Sequence, residues 1–376
     1  MEISPFKVAI PGQQITDLNN RLLNTRWPDE IDGAGWTYGT NLSYLKNLCT
    51  YWTNDYSWRK TENDINSYDN FIAGVDGYQI HFIHVKGKGS KSVPLIITHG
   101  WPGSFLEMMK MIPYLTEGTG FTFDLVIPSV IGFGFSSKPT SPGCNSAVIA
   151  DLWHKLMLGL GYTKYGAQGG DIGAGISSWL SLKHPDNVIG LHLNFIPGSY
   201  QPYMKPGDNL TAEETIYKQQ IAEWYAEEGA YGSIQSTKPQ TLAYGLNDSP
   251  AGLCGWIIEK FQSWTDSDGN PESVISYDEL LANVSLYWFT QSLPSSIRLY
   301  KESRKAPLKF GRDDRINTPV AFTRFPNELP TPPRSFVEKS FNIIQWTEMP
   351  MGGHFAAMEQ PQLLAANIKG FFEQII

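Results

Sequence analysis

The stretch Gln168-Gly169-Gly170-Asp171-Ile172-Gly173 decides the reading of this 376-residue chain. It follows a strand-like run, Tyr165-Gly166-Ala167-Gln168, and precedes a helical segment from Ala174 to Leu182. A G-x-nucleophile-x-G elbow holds its central residue at a strained strand-to-helix turn, and the flanking glycines remove side chains that would collide there. Here the centre is Asp171, not Ser or Cys. Ordinary turns also contain G-x-D-x-G by chance, so the motif takes its weight from its neighbours.

About 70 residues upstream, the apolar run Leu95-Ile96-Ile97-Thr98 enters His99-Gly100-Trp101-Pro102-Gly103. A turn of this kind after an early core strand can aim a backbone amide at the nucleophile. The amides of Trp101 and Ile172 are therefore the expected oxyanion hole. Taken alone, His99 reads equally well as a turn residue that satisfies backbone groups. Downstream, Met351-Gly352-Gly353-His354-Phe355 follows the strand-like run Phe341 to Trp346. A histidine on a glycine-rich loop after a strand lies where the active edge of an open α/β sheet is found. The acid that orients His354 should follow the preceding core strand, Pro319 to Phe322, and Glu328 occupies that loop. The plain alternative for Glu328 is a solvated loop carboxylate. Asp313 and Asp314 precede the strand, at the wrong end of the sheet. His81 and His84 stand three apart on a probable strand, on opposite faces, which disfavours a shared metal. His154, His184 and His192 read as structural.

Outward from these motifs, short apolar runs alternate with helical segments such as Phe105–Ile112 and Ala147–Leu160, the pattern of a mostly parallel sheet built from βαβ units. Four regions emerge: an aromatic-rich N-terminal extension, 1–92, that looks like a layer packed on something else; a first core block, 93–196; a helical lid, 197–312; and a second core block, 313–376. Helix starts in the lid carry their own caps, Thr211 with Glu214 and Ser249 before Pro250. The chain closes with an amphipathic helix near Gln360–Gln374.

The chain is 41% hydrophobic and 18% charged, with 35 Gly and 25 Pro, which excludes disordered, fibrous and coiled-coil classes. Its 29 Lys and Arg against 37 Asp and Glu leave a net charge of -8, with no basic run to follow a phosphate backbone. Nucleic acid and anionic membranes are thereby poor partners. The start lacks a basic segment followed by an apolar one, and no stretch of about 18 residues is apolar throughout, so neither a leader nor a membrane anchor is expected. Three scattered cysteines, Cys49, Cys144 and Cys254, make neither a disulfide framework nor a zinc site. A reducing, cytoplasmic setting is expected.

The sequence resembles the α/β-hydrolase-fold epoxide hydrolases, in the branch of the microsomal and juvenile hormone enzymes. The resemblance is carried by His99-Gly100-Trp101-Pro102, by Gln168–Gly173, and by Trp346-Thr347-Glu348-Met349-Pro350 leading to Gly353-His354-Phe355. Pro5-Phe6 and Asn24-Thr25-Arg26-Trp27-Pro28 are similar to the N-terminal region peculiar to that branch. The likeness spans nearly the whole chain. It implies that Tyr231 and Tyr300, in the lid, hydrogen-bond an epoxide oxygen; Tyr225, Tyr244 and Tyr287 look no different without it. Glu328 stands where some soluble relatives carry Asp.

The implied chemistry is addition of water to a small apolar epoxide, giving a vicinal diol through an ester on Asp171, with no metal or organic cofactor. Detoxification and aromatic hydrocarbon breakdown are the implied settings, and a homodimer is compatible with them. The rivals are a haloalkane or haloacid dehalogenase using the same aspartate, and a non-catalytic small-ligand receptor on the same scaffold.

Overall fold

The apolar runs form a single nine-stranded sheet in a computed structural model that describes residues 1–376. In chain order the strands are β1 (Ile3–Phe6), β2 (Asn70–Val75), β3 (Tyr78–Val85), β4 (Lys91–Thr98), β5 (Phe121–Pro128), β6 (Tyr165–Gly169), β7 (Val188–Leu193), β8 (Ile316–Arg324) and β9 (Phe341–Glu348). Across the sheet they lie in the order β1-β2-β3-β5-β4-β6-β7-β8-β9. Pairings from β5 to β9 are parallel, and those of β1 with β2, β2 with β3 and β3 with β5 are antiparallel. Leu95, Ile96 and Ile97 of β4 and Leu125, Val126 and Ile127 of β5 are wholly buried. Such unbroken apolar runs are what a parallel strand covered on both faces requires.

Strand order places the site. β5 lies on one flank of β4 and β6 on the other, so the order reverses there and leaves a crevice outside the carboxyl ends of β4 and β6. Thr98 pairs with Gly169 at those ends, which sets the turn from His99 beside the elbow at Asp171. β8 and β9 are parallel neighbours, so the loops carrying Glu328 and His354 open on the same edge. An isolated parallel bridge joins Asn327 to Gly353, and the Asn327 N–H donates to Gly352 O at 3.1 Å.

Two expectations need correction. The first 92 residues do not form a separate layer, because β1, β2 and β3 hydrogen-bond into the main sheet through β5. Only the helices of that region lie apart, and they pack against helices that follow β7. There Trp52 Nε1 donates to Ser285 Oγ at 2.9 Å and Thr40 Oγ1 to Gly255 O at 2.6 Å. The helical stretch expected over Phe105–Ile112 is divided into Leu106–Met109 and Ile112–Thr116. Pro113 sits in the first turn of the second helix, where its missing N–H leaves no hydrogen bond unmade.

Between β7 and β8 the chain is helical: Ala212–Glu227, Ala230–Thr237, Pro239–Leu246, Pro250–Trp264, Tyr277–Thr290 and Leu293–Lys305. Thr211 and Glu214 form a reciprocal capping box, and Ser249 Oγ accepts from Gly252 N at 3.0 Å. The last helix is Pro361–Ile375. No helix is long and apolar enough to cross a membrane.

Candidate active site

Asp171 has φ 47°, a left-handed conformation that few residues other than glycine adopt. Strain of this kind typically costs about 1–3 kcal/mol and persists only where the surroundings enforce it. The nearby glycines let them do so. A Cβ on Gly173 would fall 2.0 Å from Thr98 O, one on Gly169 2.3 Å from Gly173 O, and one on Gly100 2.1 Å from Asp171 Oδ1. With the β4 turn this close, the Trp101 N–H donates to Asp171 Oδ1 at 2.8 Å. The Ile172 N–H belongs to the first turn of the helix Asp171–Lys183, where the amides have no partner within the helix.

The turn is held from both sides. Pro102 O accepts from Asn283 Nδ2 and Gly103 O from the Tyr287 hydroxyl, each at 2.7 Å. Beneath it, Val130 N donates to His99 Nε2 at 3.0 Å, and His99 Nδ1 faces Gly100 O at 3.1 Å. Burial brings the His99 pKa down to about 4, so a neutral imidazole shapes the turn.

His354 lies between two carboxylates. Its Nε2 is 3.4 Å from Asp171 Oδ2, and its Nδ1 donates to Glu328 Oε1 at 2.6 Å. Its own N–H donates to Trp264 O at 2.8 Å. The ring meets Trp264 and Phe195 edge to face, with centroids 5.1 and 5.5 Å apart. Burial opposes the imidazolium, but Glu328 and then Asp171 outweigh it and hold the His354 pKa well above its ordinary value.

Above Asp171, Tyr231 stacks on Trp101 at 5.4 Å and 11°, while Tyr300 meets Trp101 edge to face at 5.8 Å. The two phenols are 6.1 Å apart, centroid to centroid. Burial first, and Asp171 among the further causes, push both well above the ordinary phenol range, so both hydroxyls keep their protons. They line a cavity of about 510 Å³ with Asp171, Ile172, Phe195 and Trp224. Asp171 and His354 also line a smaller cavity of about 20 Å³, together with Glu107 and Gln168. It has room for one water.

Comparison with known proteins gives this geometry its family. Residues 3–108 match "Epoxide hydrolase N terminus", and residues 93–199 match "alpha/beta hydrolase fold". Epoxide hydrolase 1 of Oryctolagus cuniculus is 36% identical over 98% of this chain and 88% of its own. Juvenile hormone epoxide hydrolase 1 of Ctenocephalides felis is 38% identical over 98% of this chain and 85% of its own. The chain belongs to the epoxide hydrolase family. The crystal structure of juvenile hormone epoxide hydrolase from the silkworm Bombyx mori matches this hydrolase with a TM-score of 0.89 at 30% identity. That match covers 100% of this chain and 95% of the silkworm chain, so the architecture is the α/β-hydrolase fold.

Within this epoxide hydrolase, Asp171, His354, Glu328, Tyr231, Tyr300, Trp101 and Ile172 gather on one edge, and His99, Gly100, Pro102, Gly169 and Gly173 shape the turns beneath them. The other histidines have structural partners. His81 bonds Ser129 and Asn70, His192 bonds Asn367, His84 bonds Tyr162, and His154 stacks on His184. Sequence reasoning missed the carboxyls of Glu107 and Glu359. Glu107 accepts from Ser104 N at 2.9 Å, and burial pushes its pKa up to about 8. Glu359 accepts from the N–H groups of Asp266, Gly353 and Phe355 at 2.8, 3.0 and 3.0 Å, binding the histidine loop. No local pattern separates either residue from an ordinary surface glutamate.

Proposed function

We propose that the chain adds water to a small apolar epoxide through an ester on Asp171, with residues 197–312 acting as the lid over the site. The observation that carries this reading is the line Glu328–His354–Asp171, with Trp101 N on one Asp171 oxygen and two protonated phenols facing the cavity.

In the first half-reaction an Asp171 oxygen attacks an epoxide carbon, and the strained C–O bond breaks with its electron pair on oxygen. A phenol of Tyr231 or Tyr300 gives that oxygen its proton, a step of general acid catalysis. Esterification also removes the negative charge that Asp171 lends to His354. The imidazolium is then less favoured, so His354 can release its proton and serve as a base. In the second half-reaction His354, oriented by Glu328, takes a proton from water as the water attacks the ester carbonyl. The Trp101 and Ile172 amides receive the developing oxyanion, an interaction whose loss typically costs about 10²–10³ in rate. The tetrahedral intermediate then collapses with cleavage of the bond between the carbonyl carbon and the substrate oxygen. That oxygen takes a proton from the His354 imidazolium, the Asp171 acid gives up its own proton to solvent, and the product is a vicinal diol. The three buried, unpaired cysteines suit a reducing, cytoplasmic setting.

One turnover in ¹⁸O-water, with enzyme in excess over epoxide, tests the scheme. The expected result is label in the Asp171 peptide, because water attacks the carbonyl carbon of the ester. Diol formed with no label in Asp171 would overturn it, and halide release without diol formation would favour a dehalogenase.

A further inference from the structure

Lys260 is buried, with 5% of its surface exposed, on a helix where its neighbours Ile257, Ile258 and Phe261 are wholly buried. Removing an ammonium from water is costly unless its partners compensate. Its nitrogen pairs with Glu259 and lies 3.8 Å from Glu228 Oε2. Those carboxylates are partly exposed and reach it from the rim. Inward, the same nitrogen lies over two aromatic rings, 4.7 Å from the Tyr231 centroid and 5.5 Å from that of Trp264. One ring belongs to a proposed proton donor, and the other packs edge to face against His354.

We propose that Lys260 is a positioning residue for Tyr231: its ammonium seats the phenol ring against Trp101 and offsets the negative charge that reaches the phenol as the epoxide opens. The inference rests on the epoxide-opening reading above. In that step the bond from Asp171 oxygen to carbon forms, the epoxide C–O bond breaks, and the Tyr231 proton passes to the departing oxygen. The phenolate left behind is later reprotonated from solvent. A cation over a neutral ring is attracted by its quadrupole, and the attraction grows as the ring becomes anionic. Interactions that strengthen toward the transition state raise the rate of the step itself. Besides burial, the groups acting most strongly on the Tyr231 phenol are Asp171, Tyr300, Tyr225 and Glu259, while Lys260 meets the face of the ring. Of these, only Tyr300 eases its ionisation, and none is a cation.

The test is stopped-flow single turnover with styrene oxide, following formation and hydrolysis of the Asp171 ester separately. Lys260→Met should slow ester formation by roughly tenfold, leave ester hydrolysis within about twofold, and be largely rescued by Lys260→Arg. In a Tyr231→Phe background, Lys260→Met should cost nothing further, because the cation acts through the phenol. Equal slowing of both half-reactions, or costs that simply add in the double variant, would overturn the inference. Lys260→Gln, with a polar head of similar reach, carries the same expectations where Met prevents folding. Absence of an Asp171 ester in the wild-type chain, or full-speed ester formation by Tyr231→Phe, would instead overturn the underlying reading.

Discussion

His354 Nδ1 lies 2.6 Å from Glu328 Oε1, and only 3% and 1% of the two side chains reaches solvent. The same Glu328 oxygen accepts from its neighbour Leu329 N at 2.7 Å, which fixes the carboxylate against its own loop. Glu328 therefore sets both the tautomer and the tilt of the imidazole. Glu328→Gln retains the shape but loses the charge that, in the proposed scheme, favours the imidazolium formed when water is deprotonated. Ester hydrolysis should slow by up to roughly 10⁴, the loss that neutralising the carboxylate brings in a Ser-His-Asp triad. Ester formation does not use this charge and should change far less. Intact-mass spectrometry after rapid mixing should therefore find the Asp171 ester accumulating in the variant. A variant that hydrolyses the ester at the wild-type rate would refute this role.

The two phenols give the complementary split. Each is raised well above the ordinary phenol range, so each remains a donor across the working pH range. Tyr231→Phe and Tyr300→Phe should each slow ester formation by about 10–10², with the double variant slower still, because either hydroxyl can partly serve the departing oxygen. Ester hydrolysis should remain close to wild type in both single variants. Transient kinetics on the two half-reactions would show this, and equal effects on both steps would argue that the phenols act only in packing.

Much of this was legible along the chain because the elbow and the His354 loop need glycine at positions where a Cβ would meet backbone, and the Trp101 turn needs it at Gly100, where a Cβ would meet the Asp171 side chain. That requirement leaves a local signature, as at Gly169, Gly173 and Gly353. Glu328 was legible from strand order, since the loop after one parallel strand opens beside the loop after the next. Tyr231 and Tyr300 were reached only through the family likeness, since nothing local distinguishes them among 18 tyrosines. Glu107, Glu359 and Lys260 were invisible for another reason. A charged residue on a helix looks solvated until tertiary packing buries it. Of the N-terminal strands, Tyr78–Val85 was legible from its apolar run, whereas Ile3–Phe6 and Asn70–Val75 escaped, because their partners are settled only by the assembled sheet.

Buried titratable groups predict a stability maximum. Burial holds the folded-state pKa of His81 down to about 3, and those of His99 and His192 to about 4, against 6.5. It pushes Glu107 up to about 8 and Glu359 up to about 7, against 4.5. Between pH 4.5 and about 6 the unfolded chain holds protons on these three histidines while the folded chain retains them on two carboxyls. The unfolded state binds more there, so stability rises with pH. Above 6.5 the folded chain alone holds protons, on Glu107, Glu359 and His354, so stability falls as pH rises. Tm should therefore peak at about pH 6–7. Glu107→Gln, which keeps an acceptor for Ser104 N, should flatten the alkaline decline. A Tm that keeps rising to pH 8.5 would contradict this balance.

Two glycine-to-alanine changes should move stability in opposite directions. At Gly173 the added methyl would lie 2.0 Å from Thr98 O and 2.9 Å from His99 O, both backbone atoms of the β4 turn. Neither can retreat without pulling Trp101 N away from Asp171, so the cost should reach about 3 kcal/mol, at the upper end of overpacking penalties. Activity should fall even in the fraction that folds, because the Trp101 amide, the proposed oxyanion donor, moves with the turn. Gly370, inside the helix Pro361–Ile375, has no atom within 4 Å of the same methyl position. There alanine only removes backbone freedom from the unfolded chain and should stabilise by about 0.5–1 kcal/mol with unchanged turnover. Urea titrations of both variants, each with its diol-forming rate, would check the pair. A Gly173→Ala protein as stable and active as wild type would mean that the elbow is not held by the close packing described.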